Sequence, residues 1–167
     1  MRIAGIVQDS IVDGPGLRFT VFVQGCHHRC PGCQNPQTHD PAGGRDCTVE
    51  ELIFQLHSNP LTDGLSLSGG EPFDQPEECL ALARAAHAAG LNVWCWTGGL
   101  YEDLRDHGTA PQQALLAEID VLVDGPFLIA QRTLSLPWRG SKNQRVVLVP
   151  DSLRTGHTIL IEEPVKM

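Results

Sequence analysis

Three cysteines, Cys26, Cys30 and Cys33, lie within eight residues in a C-x3-C-x2-C pattern, here called the cysteine loop (26–33). Their thiols can converge only if the backbone curls around one point. The Pro31-Gly32 pair favours such a curl, because proline fixes φ and glycine admits positive φ. Converging thiolates indicate a metal site. The pattern suits zinc in a closed site of four ligands, and it also suits an iron–sulfur cluster.

The fourth ligand would separate these two metals, and the sequence leaves both open. The next cysteine is Cys47, so a four-iron cluster held here has one iron without a protein ligand. An open coordination position is typical of a metal site that does chemistry. A closed zinc site would take its fourth ligand from His27, His28 or His39. With iron in the site, we expect His27 and His28 to be solvated loop residues.

Composition excludes several classes of function. The 167 residues suffice for a sizeable core, and we expect a single domain over 1–167. The formal net charge is −8, so neither nucleic acid nor an anionic membrane is expected as a partner, since both require a basic surface. No apolar run approaches the ~20 residues that span a bilayer. We therefore expect a cytoplasmic protein, in which Cys47, Cys79 and Cys95 are structural thiols rather than a disulfide framework.

The elements that position the cysteines are strands alternating with helices. Strands are predicted over 2–7, 18–23, 64–68, 91–97, 121–123, 145–149 and 158–162. Helices are predicted over 48–58, 76–89, 101–107 and 112–119, and the first has a capping box of Thr48 and Glu51. Loops are expected over 35–46 and 128–143. This order predicts an α/β fold with a mostly parallel sheet. A chain of this length supports roughly five or six strands, so any barrel is partial and open at one side.

Four loops with unusual residues leave the carboxyl ends of predicted strands. These rim loops are the cysteine loop, Gly69-Gly70-Glu71-Pro72, Thr97-Gly98-Gly99 and Asp124-Gly125. Ligands bind at that edge of a parallel α/β sheet, so we expect the rim loops to form one site. The glycines of the second loop can form a tight turn or let a ligand approach the backbone, and Glu71 offers a carboxylate to a ligand ammonium group.

The chain resembles the radical S-adenosylmethionine enzymes, whose signature is the cysteine loop followed by Gly69-Gly70-Glu71-Pro72. Within that superfamily it is most similar to the glycyl-radical-enzyme activases, in particular those of anaerobic ribonucleoside-triphosphate reductase. The matching segments span nearly the whole chain in the family's order: 12–18, 24–35, 64–72, 93–98, 121–125, 138–141 and 143–144. The resemblance implies a partial, laterally open (β/α) barrel of the radical S-adenosylmethionine type.

The resemblance also implies residues that bind cofactors. The three cysteines of the cysteine loop would hold a [4Fe–4S] cluster, and the open iron would bind S-adenosylmethionine through its amino and carboxylate groups. The other implied contacts are Gly69, Gly70, Glu71 and Pro72 for the amino group, the backbone at Gly32, Cys33 and Gln34 for the adenine, Thr97 and Asp124 for the cofactor or a nearby cation, and Asp13 for the glycine loop of the partner.

The implied activity is the activation of another enzyme. One electron from the reduced cluster cleaves S-adenosylmethionine into methionine and a 5′-deoxyadenosyl radical, which takes a hydrogen atom from a glycine of the partner. The partner would be the glycyl radical subunit of anaerobic ribonucleoside-triphosphate reductase, and the electron donor would be flavodoxin or ferredoxin. No acid–base side chain is required, so no catalytic residue is assigned.

Two alternatives remain at this stage. One is an activase of another glycyl radical enzyme, of the pyruvate formate-lyase type. The other is a zinc or iron–sulfur binding module without activity, which would not cleave S-adenosylmethionine under reduction.

Overall fold

A seven-stranded sheet forms the centre of the computed structural model, which describes residues 1–161. Its strands are β1 (Arg2–Ser10), β2 (Arg18–Val23), β3 (Arg45–Asp46), β4 (Gly64–Gly69), β5 (Asn92–Trp96), β6 (Val121–Asp124) and β7 (Arg145–Leu148). They lie in the order β3-β1-β2-β4-β5-β6-β7. β2, β4, β5 and β6 run parallel, while β1 and β7 are antiparallel to β2 and β6. β3 and β7 end the order, so the prediction of a mostly parallel, open α/β sheet is confirmed.

Helices join the strands and bury one face of the sheet. They are α1 (Val49–Leu56), α2 (Pro76–Ala88), α3 (Tyr101–His107), α4 (Ala110–Ala117) and α5 (Val149–Thr155). Val21 and Leu67 on the strands share a fully buried core with Leu82 on α2. Side chains alternate along a strand, so the neighbours of Val21 and Leu67 point to the opposite, inner face. None of the helices within residues 1–161 is long and apolar enough to cross a membrane.

The cysteines outside the cysteine loop lie in the core, as predicted. Cys47, Cys79 and Cys95 are buried free thiols. Burial raises the pKa of both Cys79 and Cys95, so neither thiol ionises readily.

Local signals in the sequence predicted several boundaries correctly. β2 and α3 have the predicted bounds. The predicted capping box begins α1, since the Glu51 amide donates to Thr48 Oγ1 at 3.1 Å and the Thr48 amide donates to Glu51 Oε2 at 3.2 Å. The predicted start of the fourth helix at 112 is wrong. α4 begins at Ala110, because Thr109 forms a second capping box with Gln112 and the proline at 111 fits a first helical turn.

The carboxyl-terminal elements differ from the prediction. The strand predicted over 145–149 ends at Leu148, and Val149 begins α5, which the sequence analysis missed. Its first turn contains Pro150, which needs no hydrogen-bond acceptor there. Of the strand predicted over 158–162, Leu160 forms an isolated bridge with Val147, and residue 162 lies outside the described residues.

The two segments predicted as loops contain short regular pieces. The segment 35–46 includes a 3-10 turn at Pro36–Thr38 and ends in β3, which pairs with the start of β1. The segment 128–143 includes a 3-10 turn at Ile129–Gln131 and an isolated bridge between Arg132 and Ser141.

Arg18, at the start of β2, is fully buried on the inner face. Its guanidinium donates to Ser66 Oγ at 3.0 Å, to the Leu65 carbonyl at 2.8 Å and to Asn92 Oδ1 at 2.5 Å. It also donates to the Pro15 carbonyl at 3.3 Å. Burial lowers the pKa of Arg18 to about 10. The contact with Pro15, together with the bond from Ser66 Oγ to the Asp13 carbonyl, fixes the turn 13–16 against the inner face.

Replacing Arg18 with methionine keeps much of the buried volume and removes every donor. We expect Arg18→Met to lower the free energy of unfolding by about 2–4 kcal/mol, because buried acceptors are left without partners. Urea unfolding of the apoprotein measures this. The control is Arg154→Met, whose exposed i,i+3 ion pair with Asp151 should contribute less than about 1 kcal/mol. An equal loss of unfolding free energy in the two variants would contradict the role of Arg18 as a buried anchor.

A cluster of charged side chains around His87 lies at the end of the sheet away from the cysteine loop. The His87 ring on α2 contacts Glu118 Oε2 through Nδ1 at 3.0 Å and Asp120 Oδ2 through Nε2 at 2.8 Å. Arg84 lies 3.7 Å from Glu118. Burial alone would lower the pKa of His87, but the hydrogen bonds to Asp120 and Glu118 outweigh it and the pKa is raised.

This raised pKa predicts a pH-dependent contribution to stability. The contribution is fully present below the unfolded pKa of His, about 6.5, and is lost as the pH rises through the higher folded pKa. The stability advantage of the wild type over His87→Gln should therefore be larger at about pH 5.5 than at about pH 8.5. Urea midpoints at both pH values test this, with His57→Gln, an exposed histidine, as the control. An advantage that does not change with pH would exclude the charged contact.

Candidate functional site

A cavity of about 440 Å³ runs from the rim loops along the inner face of the sheet. It brings together most of the predicted site residues. Those that line it are Asp13, Cys26, Cys30, Cys33, Gln34, Gly69, Gly70 and Thr97. Those that do not line it are Gly32, Glu71, Pro72 and Asp124. The volume is within the range of cavities that hold a drug-sized ligand.

The cysteine loop curls by two left-handed backbone conformations. Gly32 has φ +73°, as the sequence indicated, and Arg29 has φ 48°, which the sequence did not indicate. The Cys33 amide donates to the Cys30 carbonyl at 3.1 Å, which closes the turn between the last two cysteines. All three thiols are half-buried. Burial raises the pKa of the Cys26 thiol.

Glu71 joins three of the rim loops through one buried carboxylate. The residue is 1% exposed. Its carboxylate accepts from Thr97 Oγ1 at 2.9 Å, from the Gly98 amide at 3.0 Å and from the Phe73 amide at 3.1 Å. His28 Nε2 lies 2.7 Å from Glu71 Oε2. Both oxygens of Glu71, which was expected to offer its carboxylate to a ligand ammonium group, are therefore already bonded within the protein.

Close backbone packing explains the two glycines of the Gly69–Pro72 loop. The Gly70 amide donates to the Val23 carbonyl and the Glu71 amide to the Gly25 carbonyl, each at 2.8 Å. A Cβ at Gly70 would lie 2.2 Å from the Gly25 carbonyl oxygen. The loop therefore lies directly against the start of the cysteine loop, and glycine is required there.

His28 was expected to be solvated, and the structure contradicts this. Its side chain is 20% exposed, whereas that of His27 is 64% exposed. The hydrogen bond to Glu71 raises the pKa of His28, although burial opposes the shift. His28 and Glu71 are 43 residues apart in the chain, so no local spacing in the sequence indicates their contact.

Asp13 lies deeper on the inner face than the cysteines. Its carboxylate accepts from Ser10 Oγ at 2.5 Å and from Thr20 Oγ1 at 3.2 Å, and its carbonyl accepts from Ser66 Oγ. These bonds hold Asp13 on the wall of the cavity, at the end toward the start of β2.

Asp124 is placed differently from the expectation. It is fully buried, accepts from the Tyr101 amide at 2.8 Å and pairs with Arg145 Nη2 at 2.5 Å. Arg145 also pairs with Glu102 and lowers the pKa of that carboxyl to about 2. The Asp124 carboxylate thus ties β6 to α3 and β7 instead of facing the cavity.

Trp96 and Trp138 line the cavity on the side of the segment 126–144, and Trp94 packs behind Trp138. Trp96 Nε1 donates to the Trp138 carbonyl at 2.8 Å, and the Trp94 and Trp138 rings meet edge to face with centroids 4.8 Å apart. Trp138 adopts φ 63°, which is rare for a bulky residue. No role was predicted for these tryptophans, although the spacing Trp94-x-Trp96 on one strand places both rings on the same face.

The candidate metal donors are the three thiols of the cysteine loop. Within residues 1–161, no group of three or more His, Cys, Asp or Glu side chains is arranged to hold a single metal ion. His28 contacts Glu71, and His27 contacts Asp74 at 2.9 Å. Three half-buried thiols on one cavity wall, with two of the nearby histidines engaged elsewhere, fit a cluster with one open iron.

Comparison with known proteins identifies the family. The profile of the family described as "4Fe-4S single cluster domain" matches residues 12–147, which include all four rim loops. The anaerobic ribonucleoside-triphosphate reductase-activating protein of Salmonella typhi is 40% identical over 144 residues, covering 81% of this chain and 91% of the relative. The pyruvate formate-lyase-activating enzyme of Clostridium pasteurianum is 38% identical over 115 residues, covering 64% of this chain and 48% of the relative.

Among solved structures, QueE from Escherichia coli has a TM-score of 0.43 and 16% sequence identity, over 59% of this chain and 52% of its own. The family profile decides between the two metals that the sequence left open, in favour of iron–sulfur. Since the match to the reductase-activating protein covers nearly the whole of that relative, the chain belongs to the family of anaerobic ribonucleoside-triphosphate reductase-activating proteins.

Proposed function

We propose that the chain activates an anaerobic ribonucleoside-triphosphate reductase by radical chemistry on S-adenosylmethionine. The observation that carries the proposal is the shared cavity, in which Cys26, Cys30 and Cys33 face Gly69, Gly70 and Thr97. When bound, a [4Fe–4S] cluster and S-adenosylmethionine supply one-electron cleavage to methionine and a 5′-deoxyadenosyl radical, which takes a hydrogen atom from a glycine Cα of the partner. The electron comes from a low-potential donor such as flavodoxin or ferredoxin.

The residues of the chain bind and orient the reacting groups. The three thiolates hold the cluster at the rim end of the cavity. The backbone of the Gly69–Pro72 loop, which reaches the cavity at Gly69 and Gly70, would take the amino group of S-adenosylmethionine, because the Glu71 carboxylate is already bonded inside the protein. Thr97 lies on the same wall, and the backbone of 32–34 is the candidate for the adenine. Asp13, at the deeper end, is the candidate contact for the glycine loop of the partner.

Apolar side chains on the cavity wall would limit the access of water to a bound cofactor. Trp96, Phe127, Leu136 and Trp138 line this wall. Exclusion of water protects a reactive intermediate from side reactions.

The reductase is favoured over pyruvate formate-lyase as partner. The chain covers 91% of the reductase-activating relative but only 48% of the pyruvate formate-lyase-activating one.

The direct test is an anaerobic reconstitution with iron and sulfide, followed by dithionite and S-adenosylmethionine. We expect 5′-deoxyadenosine to form, and a glycyl radical to appear by EPR when the reductase is added. A radical on pyruvate formate-lyase instead would show the other partner. A verified reduced cluster with bound S-adenosylmethionine that gives no product even with the reductase present would indicate a binding module and overturn the proposal.

The ligand assignment is tested with two alanine variants. Cys30→Ala should abolish assembly of the [4Fe–4S] cluster, because two thiolates remain for a site built for three. Cys79→Ala should assemble a normal cluster, since Cys79 is fully buried in the core. Iron and sulfide content and the visible absorption spectrum measure both. A normal cluster in Cys30→Ala would refute the assignment.

A further inference from the structure

The adjacent histidines His27 and His28 lie in very different surroundings. The His28 ring contacts Glu71 at 2.7 Å, and that carboxylate is buried. The His27 ring contacts Asp74 at 2.9 Å, with 64% of the His27 side chain exposed. An exposed pair contributes little, whereas a charged or polar hydrogen bond to a buried carboxylate contributes more. Of the two, His28 makes the contact that can hold the cysteine loop.

Glu71, the hydrogen-bond partner of His28, also accepts hydrogen bonds from the Thr97-Gly98-Gly99 loop. Glu71 accepts from Thr97 Oγ1 and from the Gly98 amide. The His28 ring also packs on Gly98, where a Cβ would lie 2.6 Å from the ring. The ring is therefore held between the carboxylate of one loop and the backbone of another.

The middle of the cysteine loop has few other attachments. Its start is fixed by backbone bonds, from the Gly25 amide to the Thr38 carbonyl at 2.7 Å and from the Cys26 amide to the His39 carbonyl at 3.2 Å. From 27 to 32, the hydrogen bonds given by side chains to the rest of the described chain are those of His27 and His28.

We propose that His28 is a positioning residue that holds the cysteine loop on Glu71 and so sets the cluster against the Gly69–Gly70 and Thr97–Gly98 backbone. This inference rests on the proposed function, in which the cysteines hold the cluster and S-adenosylmethionine binds between these loops. His28 acts through Glu71 and is not a cluster ligand. Groups that orient metal ligands in this way commonly change metal affinity by about 10–100-fold when removed.

The test compares His28→Ala and His28→Gln with the matched control His27→Ala, each reconstituted with iron and sulfide. In His28→Ala we expect a cluster of normal iron content, because the three cysteines remain. Its iron should be lost to a chelator about tenfold faster than from the wild type. The change in the EPR spectrum of the reduced cluster should require about tenfold more S-adenosylmethionine.

The two other variants show whether the hydrogen bond is the cause. The glutamine amide can donate to Glu71, so His28→Gln should recover most of both properties. His27→Ala should stay within about twofold of the wild type. Thermal unfolding of each apoprotein identifies a variant that fails to fold, and if His28→Ala does so, His28→Phe, which keeps a ring and removes the donor, takes its place in every comparison.

The outcomes separate this inference from the proposed function. If the wild type forms no cluster, or its EPR spectrum does not respond to S-adenosylmethionine, the proposed function fails and the inference with it. If the wild type responds and His28→Ala behaves as His27→Ala does, only the inference is overturned. If His28→Gln is as defective as His28→Ala, the hydrogen bond to Glu71 is not the cause and the inference is also overturned.

Discussion

The buried carboxylate of Glu71 is the interaction on which the arrangement of the rim loops depends. A carboxylate removed from water without partners costs several kcal/mol, so the folded chain must bring donors to it. The donors come from three loops: His28, Thr97 and Gly98, and the Phe73 amide. No one of these loops could satisfy the carboxylate alone. Meeting this requirement fixes the cysteine loop relative to the carboxyl ends of β4 and β5.

The close approach of the loops then restricts which residues fit. Side chains at Gly70 and Gly98 would collide with the Gly25 carbonyl and the His28 ring. At the opposite end of the cavity, the buried group is a cation, the guanidinium of Arg18. It donates to Ser66 and to the Pro15 carbonyl, and so anchors the turn that carries Asp13. Hydrogen bonds of a buried charged group thus hold the backbone at both ends of the cavity. The segment 126–144, held through Trp138, covers the side that the open sheet leaves uncovered.

The sequence predicted those features that depend on neighbouring residues. The bounds of β2, the capping box at Thr48 and the position of the rim loops at strand ends follow from local patterns. The antiparallel pairing of β1 and β7 depends on partners far along the chain, and no local pattern encodes it. The same reason explains Glu71 and Asp124. Their residue types and loop positions were read correctly, but their hydrogen-bond partners lie up to 43 residues away.

The cysteines and Asp13 lie at opposite ends of the cavity. This arrangement suits a reaction in which electron transfer and hydrogen abstraction take place at different positions. In the proposed function, electrons enter at the cysteine end, while the partner's glycine is expected at the Asp13 end. In that arrangement the cofactor would lie between them, against the backbone of the rim loops that Glu71 holds together. Because these groups are already held in place, the entropic cost of bringing the reacting atoms together is lower. Trp96 and Trp138 lie on the wall of the cavity, where they would shield a bound cofactor from water.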